Sequence, residues 1–132
     1  MKKTYQGSCH CKAVRFEADI DLAEGTVKCN CSICAKGRNW LAAVNVDSFR
    51  LLEGQSELAE YQFGGRKIHH RFCKRCGLRP FSHGEPGGKT FYAVNLACLD
   101  NVTPDELIQA PVAFVDGLHD DFKSPPKETR HL

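Results

Sequence analysis

The sequence has 132 residues, of which 42% are hydrophobic and 26% are charged, and its formal net charge is +2. This length is typical of one domain with a real hydrophobic core, so we predict a single domain over residues 1–132. The basic residues form pairs rather than patches, which argues against a nucleic-acid partner. No apolar stretch approaches the roughly 18 residues that would span a membrane.

The redox compartment decides how the eight cysteines are interpreted. Met1-Lys2-Lys3 is followed by Thr4, Tyr5 and Gln6, and not by the apolar run of a secretory signal peptide. The cytoplasm is therefore the expected compartment, where disulfides rarely persist. Clustered cysteines in that compartment indicate metal ligands first.

Short strands are predicted along the first half of the chain. The clearest alternation lies in the segment 14–20, where every second residue is apolar: Val14, Phe16, Ala18 and Ile20. Further strands are predicted at 4–6, 26–28, 49–52 and 59–63. The segment 40–46 is rich in Trp, Leu, Ala and Val and is expected to be a buried strand. One helical turn is expected at 32–36, ended by Gly37.

The second half continues in the same way. Gly64-Gly65 predicts a hairpin turn into a strand at 68–72. An extended segment at 80–83, a loop at 85–88 and a strand at 90–96 follow. Thr103 and Pro104 predict the start of a short helix, because threonine caps helices and proline favours the first turn. A last strand is expected at 112–115 and a loosely ordered tail at 123–132. The sum is an all-β fold of short antiparallel sheets with little helix.

Two cysteine pairs predict a closed structural zinc site. Cys9 and Cys11 flank His10, while Cys73 and Cys76 are followed directly by Gly77, which supplies the positive φ that such a turn often needs. Structural zinc takes four protein ligands in a tetrahedron, and two knuckles at strand ends supply them. This site would tie the N-terminal strand to the middle of the chain.

Three further cysteines, Cys29, Cys31 and Cys34, predict a second zinc site with an open fourth position. Catalytic zinc sites keep that position for water or a substrate, and a substrate thiol is an attractive ligand. Two alternatives stay open: Cys98 closes the site as a fourth thiolate, or the site is empty or partly oxidised. The spacings of ferredoxin-type clusters are not present, so an iron–sulfur cluster is disfavoured.

Several other side chains have both a structural and a functional interpretation. His10 is expected to point to solvent, Cys98 to be a small buried apolar side chain, and Trp40 to pack in the core or to line a pocket. His70 is predicted to be a hydrogen-bonded core histidine on the strand face opposite His69. A surface position is expected for His83, although it could border the pocket. Asp116-Gly117 and His119-Asp120 could shape a site rim, or form an acidic surface loop.

The cysteine motifs together resemble one known family, the glutathione-dependent formaldehyde-activating enzymes. The resemblance rests on Gly7-Ser8-Cys9-His10-Cys11, on Cys29-Asn30-Cys31-Ser32-Ile33-Cys34, and on Phe72-Cys73-Lys74-Arg75-Cys76-Gly77 with Pro80-Phe81. The segments 95–100 and 116–120 are also similar to the family's later segments. The resemblance covers nearly the whole chain.

The resemblance implies an all-β, zinc-bearing fold of the β-tent type. It implies that Cys9, Cys11, Cys73 and Cys76 hold structural zinc and that Cys29, Cys31 and Cys34 hold catalytic zinc, which glutathione can displace in this family. The implied activity is condensation of formaldehyde with glutathione to S-hydroxymethylglutathione, classed as a carbon–sulfur lyase. Glutathione, or another small thiol, and a small aldehyde would be the partners.

Three hypotheses follow. The first is an enzyme in which zinc at Cys29, Cys31 and Cys34 keeps a small thiol deprotonated for reaction with an aldehyde. The second is a non-catalytic binding module that carries a thiol, zinc or a protein ligand. The third is a redox sensor in which the same three cysteines form a reversible disulfide and release zinc.

Overall fold

The computed structural model describes residues 1–85 and 88–132 and confirms the all-β prediction. The centre of the loop predicted at 85–88 lies outside the described residues. Ten strands and two short helices are described: β1 Lys3–Ser8, β2 Arg15–Ile20, β3 Thr26–Cys29, α1 Ser32–Gly37, β4 Leu41–Asn45, β5 Phe49–Glu53, β6 Leu58–Tyr61, β7 Ile68–Cys73, β8 Phe81–Gly84, β9 Phe91–Asn95, α2 Pro104–Gln109 and β10 Val112–Val115.

The strands form two sheets. The smaller sheet has the order β1-β2-β5, and the larger has the order β10-β3-β4-β9-β8-β7-β6. Neighbouring strands are antiparallel with one exception, because β10 pairs with β3 in parallel, placing Val115 opposite Cys29. This pair brings the C-terminal part of the chain to the end of the strand that carries the first cysteine of the 29–34 segment.

The hydrophobic core lies between the two sheets. Phe16 of β2 and Phe49 of β5 stack with ring centroids 5.5 Å apart, and Phe49 stacks on Tyr92 of β9 at 4.2 Å. Phe81 of β8 packs against Phe49 at 4.6 Å. These rings join the inner faces of both sheets, which fixes the relative positions of the strand ends that carry the cysteines.

The predicted elements agree with the structure where side chains alternate strictly. The four apolar residues of the 14–20 segment are all buried. The predicted N-terminus of α2 is correct, and Thr103 and Glu106 form a reciprocal capping box. The 40–46 segment is the exception, because β4 is shorter and only half buried, with Ala43 and Asn45 exposed. One face of β4 packs on the core and the other faces water.

None of the described helices is long and apolar enough to cross a membrane.

Candidate metal centres

The first candidate centre is the four-cysteine cluster, formed by Cys9, Cys11, Cys73 and Cys76. Their sulfur atoms all lie within 4.8 Å of one another. Cys9 follows β1, and Cys73 is the last residue of β7, so the cluster joins the smaller sheet to the larger one. Cys9 and Cys73 are buried, whereas Cys11 is exposed.

Two tight turns present these four sulfurs. In the first, the Cys9 N–H donates to Val14 O at 3.1 Å and the Val14 N–H donates to Cys9 Sγ at 3.4 Å. In the second, the Gly77 N–H donates to Cys73 O at 2.8 Å. Gly77 has φ of 78°, as the sequence predicted, so a residue with a side chain would be strained there.

The sulfur spacing of this cluster fits a tetrahedral metal. Thiolates about 2.3 Å from zinc lie about 3.8 Å apart in a tetrahedron. The distance is 3.7 Å between the sulfurs of Cys9 and Cys11, and 3.6 Å between those of Cys11 and Cys73. The backbone N–H groups of Cys11 and Leu78 lower the pKa of Cys76 to about 6. The donor set therefore suits a thiophilic ion such as zinc.

The second candidate centre is the cysteine triplet, formed by Cys29, Cys31 and Cys34. Its three sulfur atoms also lie within 4.8 Å of one another. Cys29 ends β3, Cys31 is the residue before α1, and Cys34 lies within α1. The turn from strand to helix thus points three thiols into one place. No fourth His, Cys, Asp or Glu of the described residues joins this group.

Hydrogen bonds within the triplet favour the thiolate form of Cys31. Hydrogen bonds from the thiols of Cys29 and Cys34 hold the pKa of Cys31 far below its usual range, and backbone N–H groups of Cys34 and Ile33 lower it further. The hydrogen bonds of Cys34 with Cys29 and Cys31 raise the pKa of Cys34. The hydrogen bonds among the three sulfurs thus favour the thiolate form at Cys31 over Cys34.

A chain of hydrogen bonds supports the triplet on one side. Asn39 Nδ2 donates to Cys34 Sγ at 3.5 Å, and Arg79 Nη2 donates to Asn39 Oδ1 at 3.0 Å. Asn95 Nδ2 in turn donates to the Arg79 carbonyl at 3.1 Å. Because the Arg79 contact requires the amide oxygen of Asn39, the amide nitrogen faces the sulfur.

A second amide ties the triplet to the segment 116–122. Asn30 lies between Cys29 and Cys31, and its Nδ2 donates to Asp116 Oδ1 at 2.9 Å. Its Oδ1 accepts from the Leu118 N–H at 3.0 Å. Gly117 packs directly on the thiols, since a Cβ there would lie 2.4 Å from Cys29 Sγ. The segment around Asp116-Gly117 is therefore part of the site rim.

Cys98 lies apart from the triplet. Its side chain is only 3% exposed and belongs to the hydrophobic core. Burial raises its pKa to about 12, and the charges that add to this effect are those of Cys9, Asp100 and Cys76. Its neighbours thus belong to the four-cysteine cluster, and the alternative in which Cys98 closes the triplet has no geometric support.

The histidines have separate surroundings. His70 stacks on Phe63 with ring centroids 5.4 Å apart, and burial lowers its pKa, while the charge of Cys31 acts in the opposite direction. His70 lines a small cleft together with Asn39 and Arg79, so it lies on the triplet side of β7. His83 stacks on His69 at 4.7 Å on the other face of the sheet and does not border the triplet. His10 is exposed, as predicted.

Trp40 and three cations complete the surroundings. Trp40 packs against the core and its Nε1 donates to Thr26 Oγ1 at 2.8 Å, so it is a packing residue. Arg79 lies beside the triplet, because its guanidinium donates to Asn39, which donates to Cys34 Sγ, while Lys36 and Arg38 follow Cys34 at the end of α1. None of these three makes an ion pair with a described residue. The Arg79 guanidinium would therefore attract an anionic ligand, whereas the Asp116 carboxylate on the rim would repel one.

The arrangement of the cysteines agrees with one protein family. A family model described as glutathione-dependent formaldehyde-activating enzyme matches residues 4–115. The chain belongs to this family. The match contains both cysteine groups and ends directly before Asp116, so the segment that covers the triplet lies beyond it. The formaldehyde-activating family is associated with enzymes, and its description names glutathione as the required thiol.

A solved structure supports the same fold. A crystal structure of a protein from Rhodobacter sphaeroides superposes with a TM-score of 0.71 at 31% sequence identity. The alignment covers 82% of this chain and 99% of that chain. This neighbour therefore shares the fold of the chain over most of its length.

Four residues of the site were not singled out from the sequence. Asn39, Arg79 and Asn95 form the hydrogen-bond chain at Cys34, and Asn30 holds the rim. Asn30 carried the only available signal, because it lies between two cysteines of the triplet. The other three reach the site through tertiary packing and have no ligand-like spacing.

Proposed function

We propose that this chain is a zinc-dependent carbon–sulfur lyase of the cytoplasm. Its substrate would be the adduct of glutathione, or another small thiol, with formaldehyde or a related small aldehyde. The observation that carries the proposal is the cysteine triplet, whose three sulfurs lie together with no fourth protein ligand among the described residues. Membership of the formaldehyde-activating family supports the same substrates. The free thiols suit a reducing compartment.

The two cysteine groups would have different roles. Cys9, Cys11, Cys73 and Cys76 would hold a structural zinc with all four positions filled. Cys29, Cys31 and Cys34 would hold a second, catalytic zinc. An ion bound there would supply a fourth position that favours the thiolate form of an incoming thiol.

The charges near the triplet suit an anionic thiol. Glutathione carries two carboxylates, and the Arg79 guanidinium, which contacts Asn39 beside Cys34, makes no ion pair with a described residue. This cation would attract the thiol and orient its backbone. Orientation is a useful contribution here, because adduct formation joins two separate reactants.

The reaction itself is an addition and needs no oxidant. The thiolate sulfur attacks the carbonyl carbon, a carbon–sulfur bond forms, and the carbonyl oxygen takes a proton from water to become a hydroxyl group. The reverse reaction expels the thiolate. The residues of this chain would hold the reactants together, with Asn39 fixing Cys34 and Asn30 fixing the rim that closes one side of the triplet.

The test is the rate of interconversion between formaldehyde, glutathione and their adduct, measured by exchange spectroscopy with and without protein. We expect wild-type protein to accelerate exchange at least tenfold over the spontaneous rate, and the Cys31→Ser variant to lose the acceleration. Cys98→Ala is the matched control, because it removes a cysteine outside the triplet. Equal rates for wild type and Cys31→Ser would refute the proposal. If the protein binds glutathione but does not accelerate the exchange, it would be a thiol carrier and not an enzyme.

A further inference from the structure

The segment 116–122 forms a wall beside the triplet. A Cβ built on Gly117 would lie 2.4 Å from Cys29 Sγ and 3.3 Å from Phe122 Cε1. The Phe122 ring and the Cys29 sulfur are therefore close neighbours across Gly117. The segment lies beyond the part of the chain that the family model matches, so nothing in that match assigns it a role.

The wall is held in place by hydrogen bonds. Asp116 and Asp121 exchange two backbone hydrogen bonds, each of 2.9 Å, and the Asp116 N–H is also 3.2 Å from Ser124 O. The Asn30 side chain binds the segment at Asp116 and at the Leu118 N–H. Both contacts start from a residue between two triplet cysteines, so the wall and the thiols keep a fixed relationship.

Two large apolar side chains of this wall face water. Leu118 is 60% exposed and Phe122 is 64% exposed. Their exposure does not come from a loose backbone, because the hydrogen bonds above fix it. A hydrocarbon group on a ligand at the triplet would cover the Phe122 ring, which neighbours Cys29 across Gly117, and remove apolar surface from water. Formaldehyde, which carries only hydrogen on its carbonyl carbon, would gain nothing from this ring.

We propose that the Phe122 ring forms an apolar subsite for the hydrocarbon part of an aldehyde larger than formaldehyde. The substrates would then include thiol adducts of alkyl or aryl aldehydes. This inference rests on the proposed function, since it assumes that a thiol adduct occupies the triplet. The chemistry is the same balanced addition: a carbon–sulfur bond forms and water protonates the former carbonyl oxygen.

The test compares two glutathione thioethers that differ only in chain length, S-methylglutathione and S-hexylglutathione. Their dissociation constants are measured by calorimetry on zinc-loaded protein. Each methylene that leaves water is worth up to about fourfold in affinity, so we expect S-hexylglutathione to bind at least tenfold more tightly. The ratio of the two constants is the readout, because it cancels whatever a variant does to the shared part of the ligand.

Variants locate the subsite. The preference is the affinity for S-hexylglutathione divided by the affinity for S-methylglutathione. We expect Phe122→Ala to reduce this affinity ratio about tenfold and Phe122→Leu to reduce it less. Ile108→Ala is the control, because Ile108 is 78% exposed on α2, away from the segment 116–122. Tyr61→Ala tests whether another exposed aromatic surface binds the hydrocarbon group instead. Tyr61 stacks on Phe63, and Phe63 stacks on His70. The ratio should stay at the wild-type value in both.

Several results would overturn the inference: a ratio near one in wild type, no binding of either thioether, an unchanged ratio in Phe122→Ala, or loss of the ratio in Tyr61→Ala. A wild-type dimer that Phe122→Ala dissociates, with the ratio unchanged, would assign the wall to self-association instead. Formaldehyde exchange separates the two proposals. If the protein accelerates formaldehyde exchange but binds both thioethers equally well, only the subsite is refuted. If zinc occupies the triplet and exchange is not accelerated, the proposed function is refuted.

Discussion

Two asparagines connect the triplet to the rest of the molecule through their side-chain amides. Asn39 donates to Cys34 Sγ, and Asn30 binds the segment 116–122 with both its amide atoms. Residues that hydrogen-bond a metal ligand orient it and adjust its charge, which affects how tightly an ion is held. The strength of the second metal site should therefore depend on residues that do not touch the ion.

Replacing Asn39 tests this dependence. Asn39→Leu keeps the approximate size but removes the N–H donor to Cys34 Sγ and the acceptor of Arg79. We expect the second equivalent of zinc to bind about tenfold more weakly while the first is unchanged. Competition with a chromophoric chelator measures both. Asn45→Leu on β4 is the control, and equal affinities in Asn39→Leu and wild type would contradict the prediction.

Gly117 offers a steric test. A methyl group at this position would lie 2.4 Å from Cys29 Sγ, which is closer than real Cβ atoms approach, so the wall or the thiol must move. We expect Gly117→Ala to weaken zinc at the triplet by about 10-fold to 100-fold. Gly65→Ala is the matched control, since the nearest heavy atom to a Cβ there would be Lys67 Cγ at 3.9 Å. Unchanged zinc affinity in Gly117→Ala would contradict the role of the wall.

At the scale of single residues, the sequence predicted which cysteines cluster but not which residues hydrogen-bond to them. Cysteine spacing predicted both groups, and the structure places the sulfurs of each group within 4.8 Å of one another. Asn39 and Arg79 could not be predicted, because an amide or a guanidinium has no characteristic spacing from the ligand it supports. They become neighbours only after β8, β9 and α1 have packed.

At the scale of elements, β7 separates two environments. His70 lies on one face with the triplet, while His69 and Arg71 lie on the other face, where His69 pairs with Glu60 at 2.9 Å. On β8, His83 stacks on His69, and its Nε2 lies 3.3 Å from Arg71 Nη1. This second group holds two histidines and a guanidinium against one carboxylate.

The stability of this group should depend on pH. Burial lowers the pKa of His83, the charges of His69 and Arg71 lower it further, and Glu60 and Glu85 oppose them. The unfolded chain binds a proton at His83 near pH 6.5, whereas the folded chain binds it only at lower pH. The free energy of unfolding therefore falls as the pH drops below about 6.5.

We expect His83→Gln to reduce this fall between about pH 7.5 and pH 5.5. Denaturant unfolding of zinc-loaded protein at several pH values measures the slope. His10→Gln is the control, because the His10 side chain is exposed and should leave the slope at its wild-type value. The same slope in His83→Gln and wild type would show that His83 is not the group responsible.

Individual elements were predictable where local patterns decide them. The alternation along 14–20 gave the buried face of β2, and Thr103 with Pro104 gave the start of α2. Burial of the 40–46 segment was overestimated because an apolar composition does not show that one face of β4 is open to water.

At the scale of the whole molecule, the two cysteine groups should contribute differently to stability. The four-cysteine cluster joins residues 9 and 76 and links both sheets, whereas the triplet spans only residues 29–34. A metal that closes a long loop restricts the unfolded chain more than one that closes a short loop. Binding at the first cluster is therefore coupled to folding itself.

We expect Cys73→Ser to cost an amount comparable to the total stability of a small domain, about 5 kcal/mol or more, so that much of the protein unfolds. Cys31→Ser should cost far less and leave the native circular dichroism spectrum intact. Thermal unfolding of the two zinc-loaded variants measures the difference. Similar losses in both variants would contradict the division into a structural and a functional centre.

The order of the strands could not be predicted from local patterns. The split into two sheets and the parallel pairing of β10 with β3 depend on contacts between distant parts of the chain. That pairing also places the segment 116–122 on the triplet, which is why the rim interpretation of Asp116-Gly117 could not be preferred from sequence. Local patterns predicted the strands and the clustered cysteines, whereas the wall beside the triplet results from the strand order.

The central claim is that the triplet is an open metal site that accepts a thiol. The most direct test is the zinc content per chain of wild type and Cys31→Ser, before and after addition of glutathione. We predict two equivalents in wild type, one for each cysteine group, and one in Cys31→Ser. Glutathione should change the second equivalent in wild type only, by binding to it or by displacing it. One equivalent in wild type, unaffected by Cys31→Ser or by glutathione, would contradict the account.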